Sequence, residues 1–297
     1  MKKYNLKGFG FYARFIPPFT DSVVRVWKNL IKNSYRILRK SKDVEYKKYD
    51  LGGFYGVLIK PKNAVNVPCI IDFHGGAFVF PAHVSHYKTA VNYVETLGVA
   101  VFLVNYRTAP ENPYPAQESD CKKAFDFVID NAKELSVCVD KLALAGDSAG
   151  GNLALKVSRY AKQTGRIIKC QAFFYPVTDP DIQTQSKREF TDTPMWNSRL
   201  NEKMWKYYFN GKTYKEVSYD KIFSDFDLSV APAFIEVCEY DCLRDEGLLL
   251  YDYFSKNKVE SEKNVVYNAM HGYEIKDNAV TRDAFIKRTE FFKKHLL

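Results

Sequence analysis

The sequence predicts an α/β fold, a mostly parallel central sheet flanked by helices. Three observations predict it. Short, nearly continuous apolar runs recur along the chain, helix-period stretches lie between them, and glycine-rich turns come after two of the runs. Runs of this kind suit strands covered on both faces, and their alternation with helices implies right-handed crossovers between parallel strands. In such open sheets the reacting groups gather at the carboxyl ends of the strands.

Residues 1–43 are aromatic-rich and amphipathic, with Phe9, Phe11, Tyr12, Phe15, Phe19 and Trp27. Val23, Val26, Trp27, Leu30 and Ile31 recur at helical spacing and predict a helix over 21–38. Residues 44–49 and 54–59 read as two strands joined by Gly52-Gly53, a hairpin signal. Further strands are expected at 69–73, 99–105, 142–145, 170–175, 234–238 and 265–268. Between them Cys121, Ala124, Phe125, Val128, Ile129 and Ala132 form one helical stripe. Residues 178–230 break the rhythm. They hold Asp179-Pro180, a polar stretch, and then Trp196, Trp205, Tyr207, Tyr208 and Phe209, and read as a helical insertion too long for an ordinary connection. The expected organisation is an N-terminal segment, 1–43, and one α/β domain, 44–297, interrupted at about 178–230.

A single large α/β domain can reach 297 residues. A hydrophobic share of 46% supplies a sizeable core and argues against disorder. The net charge of +9 is scattered, and its densest stretch, 36–48, also carries Asp43 and Glu45. That pattern reads as a soluble basic surface rather than a nucleic-acid site. The six cysteines show no Cys-x-x-Cys spacing and sit mostly among apolar residues, so they read as reduced and buried. Met1-Lys2-Lys3 mimics the start of a signal peptide, but Asn5, Lys7, Arg14, Pro17 and Pro18 prevent a long apolar run after it. No stretch approaches the roughly 20 apolar residues that span a bilayer. A cytoplasmic enzyme is the expectation.

The chemistry centres on Gly146-Asp147-Ser148-Ala149-Gly150, a Gly-x-Ser-x-Gly nucleophile elbow between a strand and a helix. The elbow strains the serine backbone, so small neighbours are needed, and the helix N-terminus beyond it favours arriving negative charge. His74-Gly75-Gly76-Ala77-Phe78 comes directly after a strand, where successive glycines let N–H groups converge on one oxygen. A hydroxyl needs a base. Of five histidines, His271 lies just past the last strand. His295 is beyond a helix near the chain end, His83 and His86 start a helix and read as surface residues, and His74 reads as a brace for the glycine loop. The base needs a carboxylate, in the chain order serine, acid, histidine. Asp241 sits close after the 234–238 strand, where rigid backbone can aim it, with Asp245, Glu239 and Glu246 as rivals.

These residues make the sequence resemble the hormone-sensitive-lipase-like esterases of the α/β-hydrolase superfamily, from about Gly52 to His295. The resemblance rests on His74-Gly75-Gly76, Tyr106-Arg107-Thr108-Ala109-Pro110-Glu111, Tyr114-Pro115-Ala116, the elbow, Tyr175-Pro176, Asp241-Cys242-Leu243-Arg244-Asp245-Glu246 and His271-Gly272-Tyr273. It implies a carboxylester hydrolase of α/β-hydrolase fold with the triad Ser148, Asp241 and His271. It implies oxyanion donors from the N–H groups of Gly75, Gly76 and Ala149, and a helical cap made by the N-terminal segment and the insertion. Ala77 stands where the family has a third glycine, and Cys242 where proline commonly comes after the acid.

The expected reaction is hydrolysis of short-chain acyl esters of small molecules through an acyl-enzyme, with no metal or organic cofactor required. Packed over the strand ends, Phe9, Phe11, Phe15, Trp196 and Trp205 would close a compact apolar pocket. Three rivals stand beside this reading. An acyl hydrolase acting on amides or peptides would use the same triad, and the cap and leaving-group site would set it apart. A non-catalytic ligand-binding relative is disfavoured by the presence of His271. An enzyme at a lipid surface would use the aromatic, basic-flanked N-terminal helix on a membrane, but a helix facing the pocket explains the same residues. A homo-oligomer is left open.

Overall fold

The computed structural model describes residues 4–40, 42–223 and 227–297. The basic start Met1-Lys2-Lys3 lies outside them. Eight strands form one sheet: β1 (Val44–Asp50), β2 (Tyr55–Pro61), β3 (Val67–Phe73), β4 (Ala100–Asn105), β5 (Val137–Asp147), β6 (Cys170–Phe174), β7 (Ala233–Tyr240) and β8 (Ser261–Met270). Their spatial order is β1-β2-β4-β3-β5-β6-β7-β8. The first two pairings, β1 with β2 and β2 with β4, are antiparallel, and every other is parallel. Each strand expected from the sequence is present. β5 is the most extended beyond expectation, because polar Asp140 and Lys141 interrupt its apolar run. The antiparallel hairpin needs only the short turn around Gly52-Gly53, both at positive φ. The parallel strands need helical crossovers.

The helices are α1 (Asp21–Ile31), α2 (Val84–Leu97), α3 (Ala116–Asp130), α4 (Ala132–Leu135), α5 (Ala149–Gln163), α6 (Gln185–Glu189), α7 (Ser198–Tyr208), α8 (Arg244–Lys256) and α9 (Ala279–Leu296). Alternation along the strands divides the core in two. On β3, Ile71 and Phe73 face a layer that includes Phe125 of α3, Leu153 of α5 and Phe254 of α8. Ile70 faces the other, with Tyr87 and Val94 of α2 and Phe291 and Phe292 of α9. The sheet is thus covered on both sides, which explains its nearly unbroken apolar strands. All six cysteines are free; five are buried and Cys138 is half-buried. No helix of the described residues is long and apolar enough to cross a membrane.

The N-terminal segment departs from the sequence reading. The helix expected over 21–38 stops at Ile31, and a 3-10 helix comes next at Ser34–Lys40. Ser34 Oγ donates to the Ile31 carbonyl at 2.7 Å, the kind of local bond with which serine competes against a continuing helix. Residues 178–230 hold α6 and α7 and, among the described residues, no strand. The insertion is tied at its base, where buried Asp179 accepts from the N–H groups of Ile222 and Phe223 at 2.7 and 3.0 Å. The two segments touch each other. Met195 N–H donates to the Phe15 carbonyl at 2.7 Å, and the Phe19 ring lies 5.9 Å from Trp196 and 5.2 Å from Tyr207.

Candidate active site

Ser148 caps β5 and precedes α5 with φ 54° and ψ −119°, a conformation that side chains rarely adopt. Surrounding bonds hold it there: Ser148 N–H donates to the Phe174 carbonyl at 2.9 Å, and Val177 N–H to the Ser148 carbonyl at 3.0 Å. The helix start can pass this close to β3 only at a glycine, since a Cβ on Gly150 would lie 1.8 Å from the Phe73 carbonyl oxygen. Sequence, strained turn and nucleophile placement are one chain of cause.

The other two side chains arrive from neighbouring strand ends. Asp241 comes just after β7 and His271 just after β8, where the strand register shifts beyond Cys238 and Asn268 takes a positive φ of 56°. Asn268 N–H donates to Glu239 at 2.7 Å, which pins that irregularity. Ser148 Oγ lies 2.8 Å from His271 Nε2, and His271 Nδ1 lies 2.7 Å from Asp241 Oδ2. An ionised carboxylate can only accept, so the proton sits on Nδ1 and Nε2 offers its lone pair to the serine hydroxyl. Asp241 is fully buried and also accepts from Leu243 N–H at 2.9 Å. The rival acids face elsewhere. Asp245 accepts from Ser186 N–H at 2.7 Å, and Glu246 pairs with Lys187 at 2.6 Å.

The glycine loop corrects one expectation. Gly75 N–H donates to Asp147 Oδ1 at 2.8 Å, so it is spent and not free for an oxyanion. Gly75 must be glycine for that reason, because a Cβ would stand 2.2 Å from Asp147 Oδ2. Among the described residues the N–H groups of Gly76 and Ala77 donate to no protein acceptor, and neither does that of Ala149 in the first turn of α5. His74 lies beneath the loop. Its ring stacks on Tyr106 at 4.2 Å, and Nδ1 donates to the Gly75 carbonyl at 2.7 Å. Burial pushes its pKa down to about 3, so it is neutral.

His83 and His86 are not the surface histidines the sequence suggests. Both are half-buried and close the first turn of α2, with His83 N–H donating to His86 Nδ1 at 3.1 Å. His86 Nε2 lies 3.5 Å from Asp147 Oδ2. Burial opposes charge on His86, yet Asp147 lifts its pKa, while protonation at Nδ1 would break the helix cap. Asp72, on β3, is buried beneath them, and burial together with Asp147 raises its pKa to about 7. No sequence signal marks these groups: the bond from Gly75 to Asp147 joins residues 72 apart.

The aromatic cover is also rearranged. Trp196 and Tyr175 flank the His271 ring at 5.9 and 4.8 Å. Phe9 is instead buried on the α2–α9 face, Trp205 packs into the opposite core, and Phe11 is 69% exposed. The Phe11 ring packs at the surface against Phe15, at 4.9 Å. A cavity of about 130 Å³ lies on the His86 side and is lined by Asp72, His83, His86, Asp147, Glu274 and Arg288, among others, and by no member of the triad.

Comparison with known proteins agrees with this architecture. A family model described as alpha/beta hydrolase fold matches residues 70–275. Carboxylesterase NlhH of Mycobacterium tuberculosis is 30% identical over 213 residues, covering 70% of this chain and 67% of that protein. An ethyl acetate hydrolase of Pseudomonas putida is 27% identical over 213 residues, 69% of this chain and 65% of that one. A solved esterase of Pyrobaculum calidifontis superposes with a TM-score of 0.81 at 27% identity, covering 96% of this chain and 97% of its own.

Proposed function

We propose that this chain, which belongs to the α/β-hydrolase family, is a serine carboxylesterase acting on short-chain acyl esters of small molecules. The observation that carries the reading is the unbroken bond chain from Ser148 through His271 to Asp241, at 2.8 and 2.7 Å. Ser148 Oγ attacks the ester carbonyl as His271 Nε2 takes its proton. Asp241 holds the tautomer and balances the imidazolium. The carbonyl oxygen, now negative, is met by the N–H groups of Gly76 and Ala149, with Ala77 N–H beside them, in place of Gly75. His271 returns the proton to the departing alcohol, and a water activated by the same nitrogen releases the acid and restores Ser148.

The short-chain preference is supported by the Trp196 and Tyr175 rings, which flank His271 at 5.9 and 4.8 Å and would close the acyl site early. Each methylene contributes about 0.8 kcal/mol only while it stays buried. The name of the Pseudomonas putida relative points the same way. The N-terminal segment and the 178–230 insertion act in this reading as the cap over the strand ends. The test is kcat/KM for p-nitrophenyl esters from acetate to palmitate, below the solubility limit of each. A maximum at or below hexanoate is expected, and a steady rise through the long chains would overturn it.

One observation favours a second reading, contact with a lipid surface. The apolar side of α1 faces outward instead of into the pocket, with Trp27 47% and Leu30 75% exposed and Arg25 exposed on the same helix. Sedimentation with anionic vesicles, with and without residues 1–40, decides it: binding that requires the segment supports the surface role, and none rejects it.

A further inference from the structure

We propose that His86, acting through Asp147, positions the oxyanion-binding loop. The peptide between Gly75 and Gly76 has to present its N–H to the reacting oxygen, so the orientation of the loop at Gly75 matters more than that of its neighbours. Gly75 is gripped on both sides. His74 Nδ1 holds its carbonyl at 2.7 Å, and Asp147 Oδ1 holds its N–H at 2.8 Å. Asp147 therefore has to be aimed, and its second oxygen faces His86 Nε2 at 3.5 Å. The tautomer of His86 is set from behind: His83 N–H donates to Nδ1 at 3.1 Å, which leaves the proton on Nε2, the ring nitrogen 3.5 Å from Asp147. Ser85 N–H in turn donates to His83 Nδ1 at 3.4 Å, so the first turn of α2 is closed by the same two imidazoles. The start of α2 and the donors around Ser148 are thus linked through four groups, none of which touches substrate. His86 and Asp147 are positioning residues.

The arrangement has a chemical rationale. Gly76 sits at φ 117° and Ala77 at φ 60°, conformations a free loop would leave readily. Donors stabilise a developing oxyanion only when they are fixed before the reaction, since reorienting them costs part of the gain. Loss of the His86 contact should loosen Asp147, then the Gly75 N–H, then the aim of Gly76, without altering how the neutral ester is held.

The kinetic part rests on the esterase reading; the exchange part does not. Two variants, His86→Ala and His86→Gln, are compared with the parent by amide hydrogen exchange at Gly75, by kcat and KM on p-nitrophenyl acetate, and by thermal midpoint. The glutamine amide can still donate towards Asp147. Expected for His86→Ala is faster Gly75 exchange and a kcat lower by roughly 10-fold to 100-fold, the range of one hydrogen bond to a charged group, with KM nearly unchanged. His86→Gln should recover most of both at a similar thermal midpoint. Asp147→Asn, measured alongside, should also speed Gly75 exchange. Unchanged Gly75 exchange in all three variants would overturn the proposal, as would equal kcat losses for the alanine and glutamine variants. If the parent hydrolyses no ester, the esterase reading fails, and Gly75 exchange still decides the link.

Discussion

The side chains of the triad hang from the ends of hydrogen-bonded strands, whereas Trp196, which flanks His271, sits on an insertion with no strand among its described residues. Below, Ser148, Asp241 and His271 leave β5, β7 and β8, which the sheet fixes relative to one another. Above, Trp196 meets His271 from an insertion tied by Asp179 and by contacts with Phe15 and Phe19. Parallel strands buried on both faces give distances that a few residues cannot relax. The insertion is tied to the core by side chains, ion pairs such as Lys187 with Glu246 and Arg159 with Asp227 among them, and not by a strand ladder, so the chemistry should be sensitive below and the choice of substrate more adjustable above.

The sharpest way to break this contrast is Ser148→Ala. Turnover of p-nitrophenyl acetate should fall roughly 10³-fold to 10⁶-fold with an unchanged thermal midpoint, because nucleophile and base act as a unit. Near-normal turnover would remove Ser148 from the mechanism. Next comes Asp241→Asn, which favours the wrong tautomer of His271 and should cost about 10²-fold to 10⁴-fold in kcat. Asp245→Asn should cost far less, since Asp245 holds Ser186 instead; the reverse ranking would reassign the acid.

Asp72 tests the floor by stability. Its folded pKa is raised by burial to about 7 from 3.8. Well below pH 3.8 the carboxyl is neutral in both states. As pH rises towards 7 the unfolded chain loses the proton first, so the folded state loses stability across that window, on the order of a few kcal/mol. Chemical denaturation of the parent and Asp72→Asn at pH 4.5 and 8 should show the parent losing more, and parallel behaviour would mean that the floor relaxes around the charge. The smallest effect is expected above. Trp196→Ala should shift the best acyl chain by one or two carbons and change kcat/KM by about four-fold per methylene, the equivalent of its burial. An unchanged chain-length profile would show that the cover does not set the pocket wall.

The same contrast governs how much is legible in the sequence. The strands, the elbow and the placement of His271 are local patterns, each set within a dozen residues by period, glycine and chain order. Asp241 needs only its distance from a strand end. The role of Gly75 escapes a sequence reading because its partner, Asp147, is remote in the chain and the bond uses a backbone group that every residue but proline has. His86 escapes it because an imidazole at a helix start looks solvated until the end of the sheet is placed against it. Phe9, Phe11 and Trp205 share composition with Trp196, and nothing in a hydrophobic residue says which surface it will find.

The free cysteines have a practical side. A thiol reagent can reach the five buried sulfurs only when the fold opens, and burial also raises the pKa of Cys69 to about 12, which keeps it from the reactive thiolate form. Cys138, half-buried near the start of β5, is the one thiol with a share of solvent. The molecule therefore carries a natural attachment point at the end of the strand opposite Ser148. A maleimide dye or spin label placed there at low stoichiometry would report on the sheet while leaving the reacting end bare.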